Sequence, residues 1–101
     1  MKKIINGKKY DTDTAKCVGD WTNGYGGNDF HYVSESLYRK KTGEFFLYGE
    51  GGAMTQYAES DGDAYCGGAE IIPLTEKRAK EWAEKHLDCD DYESIFGVVE
   101  E

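Results

Sequence analysis

Phe30-His31-Tyr32-Val33-Ser34-Glu35-Ser36-Leu37-Tyr38-Arg39, then Lys40-Lys41-Thr42-Gly43, then Glu44-Phe45-Phe46-Leu47-Tyr48: this stretch decides the fold. Its first ten residues alternate in the two-residue period of a strand. Phe30, Tyr32, Ser34, Ser36 and Tyr38 share one face, and His31, Val33, Glu35, Leu37 and Arg39 the other. The tetrapeptide ending in Gly43 makes a tight return, with glycine suited to the left-handed position of a bulged turn. The returning strand, Glu44 to Tyr48, is apolar on both faces. A strand of that kind belongs in the middle of a sheet covered on both sides.

Downstream, residues 50–68 hold five glycines and the acidic run Glu59-Ser60-Asp61-Gly62-Asp63. They read as a long irregular loop, with Met54, Tyr57 and Ala58 spaced for one helical turn; ordered loops of this length are often functional. Glu70-Ile71-Ile72 is a last strand, stopped by Pro73. Thr75 caps a helix whose Ala79, Trp82, Ala83, His86 and Leu87 fall on one face. Asp88 caps a second, with Tyr92, Ile95 and Phe96 inward and Gly97 at its end. Upstream, Asn6-Gly7 joins Lys2-Lys3-Ile4-Ile5 to Lys8-Lys9-Tyr10 as a hairpin. Asp11 to Thr14 offers N-cap oxygens for a short helix through Ala15-Lys16-Cys17-Val18. Residues 19–29, with four glycines, read as a loop or irregular strand. The fold class is α+β: an antiparallel β-sheet with an N-terminal β-hairpin and two C-terminal helices packed on one face, residues 1–101 forming a single compact domain.

The chain has 101 residues, with 20 acids against 12 bases and a net charge of −8. Direct nucleic-acid or anionic-membrane binding is therefore not expected, since both need a cationic face. No apolar run approaches the roughly 20 residues of a membrane span. Met1 to Asn6 does not lead into the apolar segment of a secretory signal, and three cysteines without framework spacing fit a reducing cytoplasm. Charge is also segregated: residues 1–16 carry five bases and two acids (+3), whereas residues 42–101 carry fifteen acids and four bases (−11). Such an asymmetry points to a polar, partner-facing surface.

Catalytic and metal motifs are weak. Cys17, Cys66, Cys89, His31 and His86 show neither C-x-x-C nor H-x-x-x-H spacing, and free thiols buried or half-buried account for the cysteines. His31 sits on a strand face with Val33 and Leu37, and His86 on the apolar face of its helix, so packing suffices for both. Counting from Glu59 places Asp61, Asp63, Tyr65 and Glu70 at the oxygen-ligand offsets of a calcium loop, but Ala64 stands where the sharp turn needs glycine. No nucleophile elbow is present, and neither Gly24-Tyr25-Gly26-Gly27 nor Gly49-Glu50-Gly51-Gly52 completes a phosphate-binding motif. The reading is a non-enzymatic protein without cofactor or metal. Eight tyrosines and two tryptophans exceed what one small core readily hides. Trp21 and Tyr25 lie in the polar, glycine-rich segment and are candidate interface aromatics.

Lys3-Ile4-Ile5-Asn6-Gly7-Lys8-Lys9-Tyr10-Asp11-Thr12-Asp13-Thr14-Ala15 resembles the opening of a family of small acidic proteins encoded by phages and integrated elements of Firmicutes. Leu37 to Lys40, Gly43 to Gly52, and Ile71 to Leu74 leading into the Trp82 helix are similar to the same family. Some proteins of like size and character are anti-CRISPR inhibitors, particularly of Cas9-type effectors. The resemblance implies an inhibitor acting in the cytoplasm of a bacterial host on such a defence effector. It carries over no binding residue. From the charge pattern, the candidate acidic face comprises Glu50, Glu59, Asp61 and Asp63 of the long loop and Asp88, Asp90, Asp91 and Glu93 of the last helix. The alternative is an interaction or assembly module of the mobile element with no inhibitory role.

Overall fold

The structure, a computed structural model, describes residues 1–100, with Asp61 described by its backbone alone. Strands β4 (Val33–Arg39) and β5 (Phe45–Gly51) pair antiparallel in the register Val33↔Gly51 to Arg39↔Phe45. The return between them is closed by Lys40 N–H to Glu44 O at 2.8 Å, and Gly43 takes φ 92°, as the bulged turn requires. With β3 (Lys16–Thr22) and β8 (Gly68–Leu74) they form a four-stranded sheet in the order β3-β4-β5-β8. The apolar strand β5 is central, as its two-sided pattern demands.

The N-terminal hairpin joins β1 (Lys2–Ile5) to β2 (Lys8–Asp11), with Asn6 at φ 52° and Gly7 at φ 78°. Positive φ at both central residues is the type I′ turn that Asn-Gly favours. Helices α1 (Glu76–His86) and α2 (Cys89–Phe96) follow the sheet. Thr75 Oγ1 accepts from Arg78 N–H at 3.2 Å and Asp88 Oδ1 from Asp91 N–H at 2.8 Å, so each helix starts at its foreseen cap. Gly97 ends α2 at φ 95°.

The sheet has a core on each face. On the helix side, Leu37, Phe45, Leu47, Ala79, Trp82 and Ala83 are buried together, joined by Trp21, Leu87 and Phe96 among others. On the opposite side, Tyr10 of the hairpin meets Phe46 edge-on (5.5 Å, 80°), Tyr38 stacks on the same ring (5.2 Å, 7°), and Ile71 completes the cluster. Burying a side chain such as Phe46 contributes about 2–3 kcal/mol, so the short hairpin is held by its contact with the sheet. The hairpin leaves part of this second face uncovered, where Ser34, Tyr48 and Glu50 are only half-buried.

Several local expectations are corrected. Ala15 to Val18 is not a helix: from Lys16 the chain is strand β3, paired with β4 from Lys16↔Arg39 to Thr22↔Ser34 across a bulge at Cys17/Gly19. Four residues cannot nucleate a helix against a ladder of this length. Of residues 19–29, the first four are therefore regular strand. The strand expected from Phe30 begins only at Val33, because Asn23 ties the preceding bend, its amide nitrogen donating to His31 O (2.8 Å) and its amide oxygen accepting from Val33 N–H (3.1 Å). His31 consequently lies exposed beside Asp29 rather than on a strand face.

Residues 50–68 are not irregular throughout. They contain a second small hairpin, β6 (Glu59–Asp61) with β7 (Ala64–Cys66), turned at Gly62 with φ 65°. Met54 to Ala58 forms turns in place of a helical turn. Pro73 does not stop the last strand: β8 runs on to Leu74, with Pro73 opposite Phe46. It is tolerated because β8 is an edge strand whose outer side needs no donor. All three cysteines are exposed, not buried or half-buried.

Candidate functional site

Two carboxylates are built into the sheet on opposite faces. Glu35, centred in β4, points to the helix side and is only 7% exposed. Its carboxylate accepts from the Tyr57 hydroxyl and from Trp82 Nε1 at 3.1 Å, and His86 Nε2 lies 3.8 Å away. Trp21 closes the group by lying against the His86 ring at 4.1 Å, tilted by 36°. Gly49, the register partner of Glu35, makes room for the Tyr57 ring; a Cβ there would collide with it. Burial pushes the Tyr57 phenol well above its ordinary value, and the hydrogen bond to Glu35 pushes it further. Burial holds the His86 imidazole below its usual value, outweighing the nearby Glu35 charge. With Glu35 and Tyr57 buried and His86 and Trp21 half-buried around them, the group links strand, loop and helix.

Glu50, one residue beyond Gly49, points to the other face. Its two oxygens accept from the hydroxyls of Tyr32 (3.3 Å) and Tyr48 (3.4 Å). This carboxylate is only half-buried. It lines an open cleft of about 830 Å³ between the end of β5, the start of β8, the 27–32 bend and the β6–β7 hairpin. Phe30 and Tyr65, 65% and 70% exposed, flank it, and Glu59 and Asp29 add carboxylates. Asp29 is engaged by the backbone N–H of His31 (2.8 Å) and by its ring. Among the described residues no Lys or Arg lines the cleft, and the α-amino group of Met1, a residue on its wall, donates to Thr12 Oγ1 at 2.9 Å.

The floor is glycine. Gly51, Gly52, Gly67 and Gly68 line it, and a Cβ on Gly67 would stand 2.8 Å from the Gly51 carbonyl oxygen. A Cβ on Gly68 would stand 2.7 Å from Glu59 Cγ. These positions bring two backbone segments and a carboxylate closer together than any larger residue allows.

The residues singled out from sequence are thus dispersed. Glu50 and Glu59 share the cleft. Asp63 is exposed on the turn of the β6–β7 hairpin, and the Asp61 side chain lies outside the described residues. Asp88 and Glu93 line a separate hollow with Leu87, Tyr92 and Val99, while Asp90 and Asp91 are exposed on the first turn of α2. Among the described residues, the cleft and this hollow share no lining residue. Tyr25 is 51% exposed and lies 5.8 Å from the His31 ring. Trp21 is half-buried against the core.

Glu35 was missed by sequence reasoning; its one signal was its place on a strand face with Val33 and Leu37. Phe30 and Tyr65 were missed because an aromatic in a presumed strand or loop looks like any other core candidate. Among the described residues no group of three or more His, Cys, Asp and Glu side chains is placed to hold a metal ion, and no helix is long and apolar enough to cross a membrane. Comparison with known proteins finds no matching family model, no matching curated protein and no matching solved structure.

Proposed function

We propose that this chain is a non-enzymatic inhibitor, encoded by a phage or mobile element and acting in the cytoplasm of a bacterial host. It binds a nucleic-acid-handling defence complex, of Cas9 type before others, through its acidic loop end. One observation carries the reading: Glu50 and Glu59 share an open cleft with the exposed rings of Phe30 and Tyr65, and no Lys or Arg among the described residues lines it. Guide-RNA effectors hold nucleic acid in a positively charged channel and read DNA through arginines. A rigid acidic patch with apolar anchors suits such a surface, the charge steering association and the rings supplying contact area. The segregation seen in sequence, −11 over residues 42–101, favours the same partner.

The test is DNA cleavage by a purified Cas9-type effector with its guide RNA, with this protein added at increasing ratios. Stoichiometric inhibition that weakens as salt rises from about 0.05 to 0.5 M supports the reading, since screening shortens with ionic strength. Unchanged cleavage at a large excess refutes it for that effector.

A second reading, an interaction or assembly module of the mobile element without inhibitory role, is favoured by the exposure of Tyr25, Phe30, Met54 and Tyr65. It predicts self-association or a partner from the same element, with little dependence on salt, and sedimentation velocity at two salt concentrations separates it from the first.

A further inference from the structure

We propose that the cleft is an arginine-docking site, in which a guanidinium of the partner is held by Glu50 and Glu59 and flanked by Phe30 and Tyr65. The inference rests on the reading of the protein as a binder of a basic partner and names the chemistry that the site takes.

The carboxylates supply the charge. Each oxygen of Glu50 already accepts one phenol hydroxyl, from Tyr32 and Tyr48, and these two bonds fix the plane of the carboxylate. A carboxylate has about four lone-pair sites, so two remain for a ligand. Guanidinium meets a carboxylate through two parallel N–H bonds, a geometry an ammonium lacks. Glu59, at the start of the β6–β7 hairpin, lines the same cleft, with its stem close to Gly68.

The rings supply the selectivity. Phe30 and Tyr65 are unusually exposed for their size, and both stand on the rim of this cleft. A planar, weakly hydrated guanidinium stacks on aromatic faces, whereas lysine presents a compact, strongly hydrated charge. Among the described residues, carboxylates and strongly exposed rings coincide at this cleft. The hollow containing Asp88 and Glu93 has carboxylates, but its one ring, Tyr92, is half-buried.

The experiment is an amide NMR titration with N-acetyl-L-arginine amide, run in parallel with N-acetyl-L-lysine amide. The expected result is saturable shifts at Phe30, Glu50, Glu59, Tyr65, Gly67 and Gly68, with arginine at least about threefold tighter than lysine and a dissociation constant of about 1–10 mM. Glu50→Gln with Glu59→Gln abolishes the shifts. Tyr65→Ala, on an exposed hairpin, weakens binding about fivefold, with the remaining spectrum unchanged as the check on folding. Shifts spread equally to Asp90 and Asp91, equal affinity for lysine, or unaltered binding by the variants overturns the proposal. So does a concentration-dependent shift of the cleft without probe, which would show a second copy seated there. The probe needs no effector, so failure of arginine to bind overturns the docking alone, while the cleavage assay decides the inhibitor reading separately.

Discussion

Glu35 and Glu50 receive the same kind of hydrogen bonding and end in different circumstances. Each accepts from two aromatic side chains, Tyr57 and Trp82 in one case, Tyr32 and Tyr48 in the other. They stand on opposite faces of the sheet, Glu35 opposite Gly49 and Glu50 next along the same strand. Over Glu35 lie a helix, a loop and the ring of Trp21; Glu50 is half-buried on the wall of an open cleft. A buried carboxylate must be fully satisfied or it destabilises the fold, so its partners hold structure together. An open carboxylate oriented by two phenols keeps unused acceptor capacity and is available to a partner. The degree of cover, not the residue type or the hydrogen bonds, divides the scaffold carboxylate from the one in the proposed site.

The sharpest way to break the contrast is to remove each carboxylate in turn. Glu35→Ala leaves the Tyr57 hydroxyl and Trp82 Nε1 buried without an acceptor and opens a void, at a cost of about 4 kcal/mol. Urea denaturation measures it, and the loss is large enough to threaten folding. Gly49→Ala comes next: the new methyl meets the Tyr57 ring and displaces it from Glu35, destabilising by about 2–3 kcal/mol. A thermal melt with the near-ultraviolet signal of the Tyr57–Trp82 region reports it.

Acid should loosen the buried group. The folded imidazole of His86 titrates below its ordinary value, chiefly through burial, so between the two values the unfolded chain binds more protons than the folded one. Stability is therefore full above about pH 6.5 and falls as pH drops below the unfolded value toward the folded one. Denaturation midpoints at pH 7.5 and 5.5 show the drop, and His86→Gln removes its share of the slope. Glu50→Gln has the smallest effect on stability, below about 1 kcal/mol, because the amide oxygen still accepts and the site is open to water. A loss comparable to that of Glu35→Ala would erase the distinction between the two carboxylates.

Much of the architecture was legible from local chemistry. Asn6-Gly7, Gly43, Thr75, Asp88 and Gly97 each demand one backbone conformation, and the structure meets each demand. The central place of β5 followed from aromatics on both of its faces. Segments whose state depends on a distant partner were not legible. Lys16 to Val18 becomes strand because β4 offers a ladder, and the β6–β7 hairpin forms among residues too rich in Gly and Asp to show alternation. At the site, abundance of acids hid position: fifteen acids in the last sixty residues nominate many carboxylates. Only the fold separates Glu50 and Glu59 from those of α2. Trp21 shows the converse, since a glycine-rich neighbourhood suggested exposure while β3 turns its ring onto His86.

The central claim is that the open carboxylates, not acidity in general, make the contact. The most direct measurement is cleavage by a Cas9-type effector with wild-type protein, with the Glu50→Gln/Glu59→Gln pair, and with the Asp90→Lys/Asp91→Lys pair. The account predicts inhibition by wild type, at least about tenfold weaker inhibition by the cleft pair, equivalent to about 1.4 kcal/mol, and near-wild-type inhibition by the α2 pair. Inhibition untouched by the cleft pair but lost in the α2 pair would contradict it and move the contact to the last helix.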